Sequence, residues 1–552
     1  MALRSNEIIT GLERAPQRAY LNALGLPRTE FSKPFIGVVN TWNEVSLSNC
    51  HLNLIVQSVK AGILAGGGVP FEFNTIAVSD GYAEAHDGMN YVLASRELIA
   101  DSIEIMALAH RFDGIVILAA GDKPIPAALM AMPRLNIPAI LINGGSSPPA
   151  KYRGKDVSFF DVLESVGDYH SGRIREDAVF DKEEAALPGA GDGAGMYTPS
   201  TMACLAEAMG LCLPYSSTVA ALCSQKLRHA RLTGQIICRL VEEGLTPKKI
   251  ITENSIRNAI RVGQALGGST NMALHLLAVA REAGLEISLG EFDKLGRQTP
   301  MLCPIDPNGP FHINDLDTAG GVPGVMSRLR PLLDLSQLTI TGKTVGENIQ
   351  DAGVYNDEVI RPLERPLQPE GSLIVLRGNL ATKGAVVRQS FVNLYLRRFR
   401  GPARVFDREE EAVAAVHEGR ISRGDVIVLR YLGPKGGPGM PEVFSLISTI
   451  RRVGLSDSVY LLTDGRFHGV VKGACVGHIC PEAAEGGLIA LARDGDMIAI
   501  DLDLRQLELE VPDEELLLRR SALKPFIPRE RRDYLGRYVK LVSPASEGAV
   551  LR

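Results

Sequence analysis

From Phe35 to Gly145 short apolar, β-rich runs alternate with longer stretches whose apolar positions recur at helical spacing. The runs are "FIGVVN", "FNTIAVSD", "GIVILAA" and "IPAILING", and the clearest intervening helix is predicted over "NYVLASRELIADSIEIMALAHR". Strands separated by helices make βαβ units, hence a parallel sheet covered on both faces. Ligands of such sheets sit outside the carboxyl ends of the strands. The polar residues that follow the runs are Asn40, Asp80, Asp122 with Lys123, and Asn143, and they are expected to converge on one rim.

Residues 200 to 285 read as buried helices, with "TMACLAEAMGLCL" and "NMALHLLAVAREAGL" the clearest stretches. Between them Gly267, Gly268, Ser269 and Thr270 form a turn followed by a helix N-cap, either a plain connection or a ligand-contacting loop. Around residues 342–371 the pattern dissolves into "GKTVGENIQDAGVYNDEVIRPLERPLQPEG", polar and proline-bearing, the best candidate linker. Beyond it come "SLIVLRGNLA", "DVIVLRYLG", "VYLLTDG" and "DMIAIDLDLRQLELEV", separated by glycine-rich turns. The expected architecture is α/β: an N-terminal α/β domain with a parallel sheet, residues 1–355, and a β-rich, barrel-like C-terminal domain, residues 370–552.

At 552 residues the chain exceeds one ordinary core, in keeping with two domains. Hydrophobic residues make up 45%, charged residues 22%, and a net charge of -5 gives no electrostatic footprint for nucleic acid. No stretch approaches the ~20 uninterrupted apolar residues of a membrane span, and the charges scattered through the N-terminus leave no signal-peptide core. The eight cysteines, without a C-x-x-C pair, fit reduced thiols and a cytoplasmic location. Patterns for phosphate-loop, dinucleotide, zinc-protease and serine-hydrolase chemistry are absent.

Two carboxylates, Asp80 in "VSDGYAEAHDGMN" and Asp122 in "AAGDKP", follow apolar runs beside glycines, where backbone can approach a ligand closely. Hard cations such as Mg²⁺ are held by one or two such groups plus substrate; alone, each Asp also suits a turn or helix cap. The run "YLGPKGGPGMPEV" around Lys435 is either a flexible surface loop or a backbone pressed against something. In "LLTDGRFHGVVKGACVGHICPEAAEGG", Asp464, Arg466, His468, Lys472, His478 and Glu482 crowd a glycine-interrupted segment, which reads as a site without naming a reaction.

In order along the chain, "NTWNEV", "PFEFNTIAVSDG", "SRELIADSIE", "FDGIVILAAGDKPIP", "PGAGDGAGMYTPSTM", "ALGGSTNMALHLLA", "GPKGGPGMPE", "TDGRFHG" and "GHICPEAAEGG" resemble the dihydroxy-acid and phosphogluconate dehydratase family. The resemblance implies an α/β N-terminal and a β-barrel-like C-terminal domain, a homodimer or homotetramer, and loss of water from a 2,3-dihydroxy or sugar acid. By that resemblance Asp80, Asp122, Lys123 (carbamylated in the family) and Glu442 are the Mg²⁺ ligands. Carbamylation would turn a cationic lysine, repulsive to Mg²⁺, into an oxygen ligand beside Asp122.

Several positions depart from the family. The cysteines that hold its [2Fe-2S] cluster correspond to Ser48, Gly121 and Gly193, none of which supplies a thiolate or imidazole, and Cys50 falls two residues from the first. No cluster is therefore expected. The family's serine base is His468 here, an imidazole with a pKa near ~6.5 that can act as acid or base. Val470, Val471 and Lys472 beside it, and Thr382 with Lys383, also differ, so a rebuilt pocket is expected. The expectation is a cluster-free, Mg²⁺-dependent lyase working through a metal-stabilised enolate, with His468 and Lys123 catalytic and Ser269, Thr270, Arg466 and Lys472 binding a small carboxylic acid. An epimerase or isomerase of a hydroxy acid, and a non-catalytic homologue, are the alternatives.

Overall fold

The computed structural model describes residues 3–170, 172–467, 473–527 and 532–552. The first sheet comprises β1 (Phe35–Asn40), β2 (Val69–Asn74), β3 (Gly114–Ala119) and β4 (Ala139–Asn143), all parallel, in the order β2-β1-β3-β4. Every residue of β1, β3 and β4 is buried, which explains their unbroken apolar runs. Edge strand β2 is one-sided, and it begins earlier than "FNTIAVSD" suggested. Its only neighbour, β1, ends at Asn40, so the chain beyond Asn74 has no strand to pair with and leaves the sheet before Asp80.

Helices Thr198–Ala208, Ser224–Glu243, Glu253–Leu266 and Asn271–Glu282 fill the stretch read as buried helix. Thr270 occupies the N-cap position of the last, yet its backbone is helical and its side chain caps nothing. Residues 342–371 carry a single short helix, Val345–Asn348. Val345, Ile349, Val359 and Ile360 are buried in the large core, so this polar segment is a strap anchored to that core at intervals, with Tyr355 to Glu358 exposed between the anchors.

A hairpin, β5 (Ala150–Tyr152) with β6 (Lys155–Val157), lies outside both main sheets. The second large sheet contains β7 (Leu373–Leu376), β8 (Gly384–Arg388), β9 (Arg398–Phe406), β10 (Val426–Leu429), β12 (Tyr460–Thr463), β14 (Cys475–Cys480), β15 (Met497–Asp501) and β16 (Gln506–Leu509). "DMIAIDLDLRQLELEV" thus makes two strands. Their order, β16-β15-β9-β10-β12-β14-β8-β7, bends round until Arg377, just after β7, bridges Gln506 of β16, nearly closing a barrel. Successive residues of β10 and β12 alternate between two cores. Val426, Val428, Tyr460 and Leu462 point one way, and Ile427, Leu429 and Leu461 pack with helices Glu409–His417 and Ser445–Arg452 on the other. The remaining pair, β11 (Glu442–Val443) and β13 (Arg466–Phe467), is a two-residue parallel ladder that sets Glu442 opposite Arg466. Among the described residues no helix is long and apolar enough to cross a membrane.

Candidate active site

The turn after β3 builds one side of the site. Ala120, Gly121 and Asp122 reverse the chain, with Gly121 at φ +94°, and helix Pro124–Leu135 starts immediately after Lys123. Its first residue is proline, which suits the first helical position because that N–H would have no partner anyway. Asp80 opens the short helix Asp80–Ala83 beyond β2. Lys123 is fully buried, its Nζ 2.8 Å from Asp122 Oδ2 and 3.9 Å from Glu442 Oε1.

Glu442 arrives from the other half of the molecule. Arg466 Nη1 donates to Glu442 Oε1 at 2.5 Å, its Nε donates to the Met440 carbonyl at 2.7 Å, and Asn271 Nδ2 donates to the same carboxylate at 3.1 Å. The preceding "GPKGGPG" run is the pressed backbone rather than the flexible loop. A Cβ on Gly439 would lie 1.9 Å from the Asn90 carbonyl, and the Lys435 and Gly436 N–H groups donate to Glu482. Asp464 likewise accepts from the Tyr431, Leu432 and Ala483 N–H groups, and the His478 N–H donates to the Gly465 carbonyl. Asp464, Glu482 and His478 therefore brace the loop that delivers Glu442.

Carboxyl groups outnumber cations here. Burial, then the Asp122 charge, pushes the Asp80 carboxyl up to about 8, with Lys123 opposing. Burial and the charges of Glu442, Asp80 and Asp122 push Glu84 up to about 10. Glu442 Oε2 and Asn271 Oδ1 are buried oxygens with no hydrogen-bond partner. A set of carboxyl oxygens that outnumbers its cations, with unsatisfied lone pairs, fits a hard divalent cation. Among the described residues no three His, Cys, Asp or Glu side chains already surround one point, because the Lys123 ammonium stands between Asp122 and Glu442.

The adjoining corner holds the three positions read as former cluster ligands. Ser48 and Gly193 line the cavity, and Gly121 lies just behind it. Asp192, unnoticed in the sequence, sits among them: its Oδ1 accepts the Gly121 N–H at 2.7 Å, and the Ser48 hydroxyl, which donates to the Gly191 carbonyl at 3.4 Å, lies close enough to favour its ionised form. Burial lifts its carboxyl up to about 7 against those two groups. Cys50, two residues from Ser48, turns its Sγ to the Leu47 carbonyl at 3.4 Å. A Cβ on Gly193, at φ +82°, would meet the Tyr197 ring at 3.0 Å. These donors do not suit an iron-sulfur cluster.

Both corners open into one cavity of about 600 Å³, lined by Asp80, Asp122, Ser48, Asp192, Thr198 and Tyr197 among others. Of the expected rim, Asp80, Asp122 and Lys123 meet, while Asn40 is spent on Glu72 and Asn143 on Lys226. Of the substrate-binding candidates, Ser269 is buried against Thr198, 2.9 Å between hydroxyl oxygens, and Thr270 is nearly buried. Arg466 is engaged with Glu442, away from the cavity wall. His468 and Lys472 lie outside the described residues. Glu84, Asn271 and Thr198 were missed; Glu84 alone offered a signal, an acid four residues after Asp80.

Fold and site define an α/β protein with a parallel sheet and a barrel-like sheet, in which residues between Leu47 and His312 line an acidic cavity and Glu442 reaches the neighbouring Asp122–Lys123 pair from the C-terminal half of the chain. Family models for the dihydroxy-acid/6-phosphogluconate dehydratase N-terminal and C-terminal regions match residues 33–348 and 358–549. Proteins named dihydroxy-acid dehydratase from Caldicellulosiruptor bescii and Moorella thermoacetica are 49% and 48% identical to it, each over 551 residues and the full length of both chains. One from Methanosarcina barkeri is 47% identical over 555 residues, again covering both chains fully. The chain belongs to the dihydroxy-acid/6-phosphogluconate dehydratase family.

Proposed function

We propose that this protein removes water from a 2,3-dihydroxy acid with the help of a divalent cation, Mg²⁺ by preference, and without an iron-sulfur cluster. Full-length membership of a dehydratase family supports the hydro-lyase chemistry. The cluster-free part is carried by one observation: an intact oxygen-donor corner adjoins a corner where no thiolate is available.

Asp80, Asp122, Glu442 and Lys123 as its carbamate would hold the cation. When bound, it supplies positive charge for the carboxylate and 2-hydroxyl end of the substrate as C2 loses its proton. Arg466 and Asn271 fix the Glu442 carboxylate, and Thr198 ties the cavity wall to that pair through Ser269 and Asn271. His468 is assigned as the base from its place in the sequence. A positioned base or acid contributes roughly 10²–10⁴-fold, so His468→Ala should lose turnover on that scale. Unchanged turnover would remove His468 from the mechanism.

The test is proton NMR of the protein with Mg²⁺ in D₂O against a panel of 2,3-dihydroxy and sugar acids. New 3-deoxy signals are expected. Deuterium entering C2 without elimination would point to an epimerase or isomerase, and silence across the panel would overturn the enzymatic reading.

A further inference from the structure

The corner that lacks thiolates holds a carboxylate for which the chemistry above has no use. Asp192 is 4% exposed yet lies on the wall of the same cavity as Asp80 and Asp122. Its backbone is pinned, its N–H donating to the Gly145 carbonyl at 2.9 Å while the next residue's carbonyl accepts from Ser147 at 3.1 Å. One of the three former ligand positions now holds its side chain through the Gly121 N–H, a second, Ser48, sets its hydroxyl nearby on the Gly191 carbonyl, and the third, Gly193, is its chain neighbour. Oδ2 is buried and has no hydrogen-bond partner. The cation whose charge reaches it, Lys226, directs its Nζ to Asn143 Oδ1 at 2.9 Å and to the Ser216 carbonyl at 2.8 Å. A buried carboxyl oxygen without a partner costs free energy unless it carries a proton or meets a ligand.

Asp122 follows Gly121 directly. Asp192, bonded to the Gly121 N–H, therefore borders the Asp80–Asp122 corner on the wall of one cavity.

We propose that Asp192 is the proton donor to the departing 3-hydroxyl, a catalytic residue occupying the corner of the missing thiolates. The proposal rests on the reading of the chain as a cluster-free dehydratase. In the step, the base takes the C2 proton and the C2–H electron pair becomes the C2–C3 double bond. The C3–O bond breaks with its pair on oxygen, and the Asp192 proton converts the leaving hydroxide to water. The resulting enol gains a proton at C3 and loses one from its 2-hydroxyl, giving the 2-keto acid. The proton held by the base returns through solvent to Asp192, so no other reactant is consumed.

The test pairs a dihydroxy acid that the wild-type protein dehydrates with its 3-chloro-2-hydroxy counterpart, whose chloride leaves without a proton. In Asp192→Asn, which preserves an acceptor for the Gly121 N–H, loss of water should fall by about 100-fold or more while loss of chloride changes by less than about threefold. Ser48→Ala, which removes the hydroxyl beside Asp192, should slow water loss by about 5-fold and again spare chloride. Equal losses with both leaving groups in the two variants, or undiminished water loss in Asp192→Asn, would overturn the proposal. A wild-type protein that releases chloride but dehydrates no acid without iron would instead overturn the reading beneath it, and the proposal with it.

Discussion

The two corners of the cavity share a wall and differ in kind. One, built from Asp80, Asp122, Lys123 and Glu442, brings charged groups from the turns beyond β2 and β3 and from the β11–β13 ladder into a cluster braced by Arg466 and Asn271. The other, built from Ser48, Gly121, Gly193 and Asp192, is a set of turns in which small residues make room and one acid is held by hydrogen bonds. On the function proposed above, the first would hold a hard cation and the second would serve proton transfer, so that activation of the acid end of a substrate and assistance to its leaving group would be separable.

The comparison breaks most readily at the charged corner. Asp122→Asn should lower kcat/KM by about 10³-fold, because several kcal/mol of charge stabilisation at the acid end depend on a cation held there. A modest loss would mean that the acidic corner holds no catalytic cation. Next in size, Arg466→Met strips the buried Glu442 of its ionic partner and should cost about 3 kcal/mol in urea denaturation, since the remaining carboxylate keeps its desolvation penalty. An unchanged midpoint would show that Glu442 does not need that charge.

The sign of the pH dependence follows from Asp80, whose carboxyl rises from its ordinary 3.8 to about 8 in the folded protein. Between those values the folded form binds the extra proton, so its contribution to stability is present at low pH and fades as pH climbs through about 8. Mg²⁺ favours the ionised carboxylate. Its stabilising effect on thermal unfolding should therefore grow from pH 6 to pH 8, by about 1.4 kcal/mol per pH unit for each carboxyl that must give up a proton. A flat Mg²⁺ response would separate Asp80 from the metal.

The smallest effects sharpen the second corner. Gly193→Ala, strained at φ +82° and meeting the Tyr197 ring at 3.0 Å, should cost about 2 kcal/mol. Gly121→Ala, at φ +94° with nothing nearer than 3.7 Å to its Cβ, should cost about 1 kcal/mol from backbone strain alone. The reverse order would contradict the packing described there.

How much of this was legible beforehand follows the physics of each part. The buried strands announced themselves as unbroken apolar runs, and the proximity of Asp80, Asp122 and Lys123 was legible because residues after parallel strands share a rim. β2 was misplaced because an edge strand ends where its neighbour does, which local composition does not encode. The strap at residues 342–371 looked like a tether because its few buried apolar positions, Val345, Ile349, Val359 and Ile360, follow no regular period. Arg466 was read as a substrate contact because a charge on a glycine-rich segment looks exposed; only the pairing of β11 with β13 turns it onto Glu442. Asp192 was passed over because its meaning comes from contacts with Ser48 and Gly121, 144 and 71 residues away in the chain.

The most direct measurement is turnover of iron-stripped protein. The chain, chelated until iron and acid-labile sulfide are undetectable, is given Mg²⁺ and a dihydroxy acid, and product is followed by proton NMR. Formation of the 3-deoxy-2-keto acid at a rate unaffected by adding back iron and sulfide is predicted. Turnover that appears only after iron and sulfide are restored would contradict a cluster-free site.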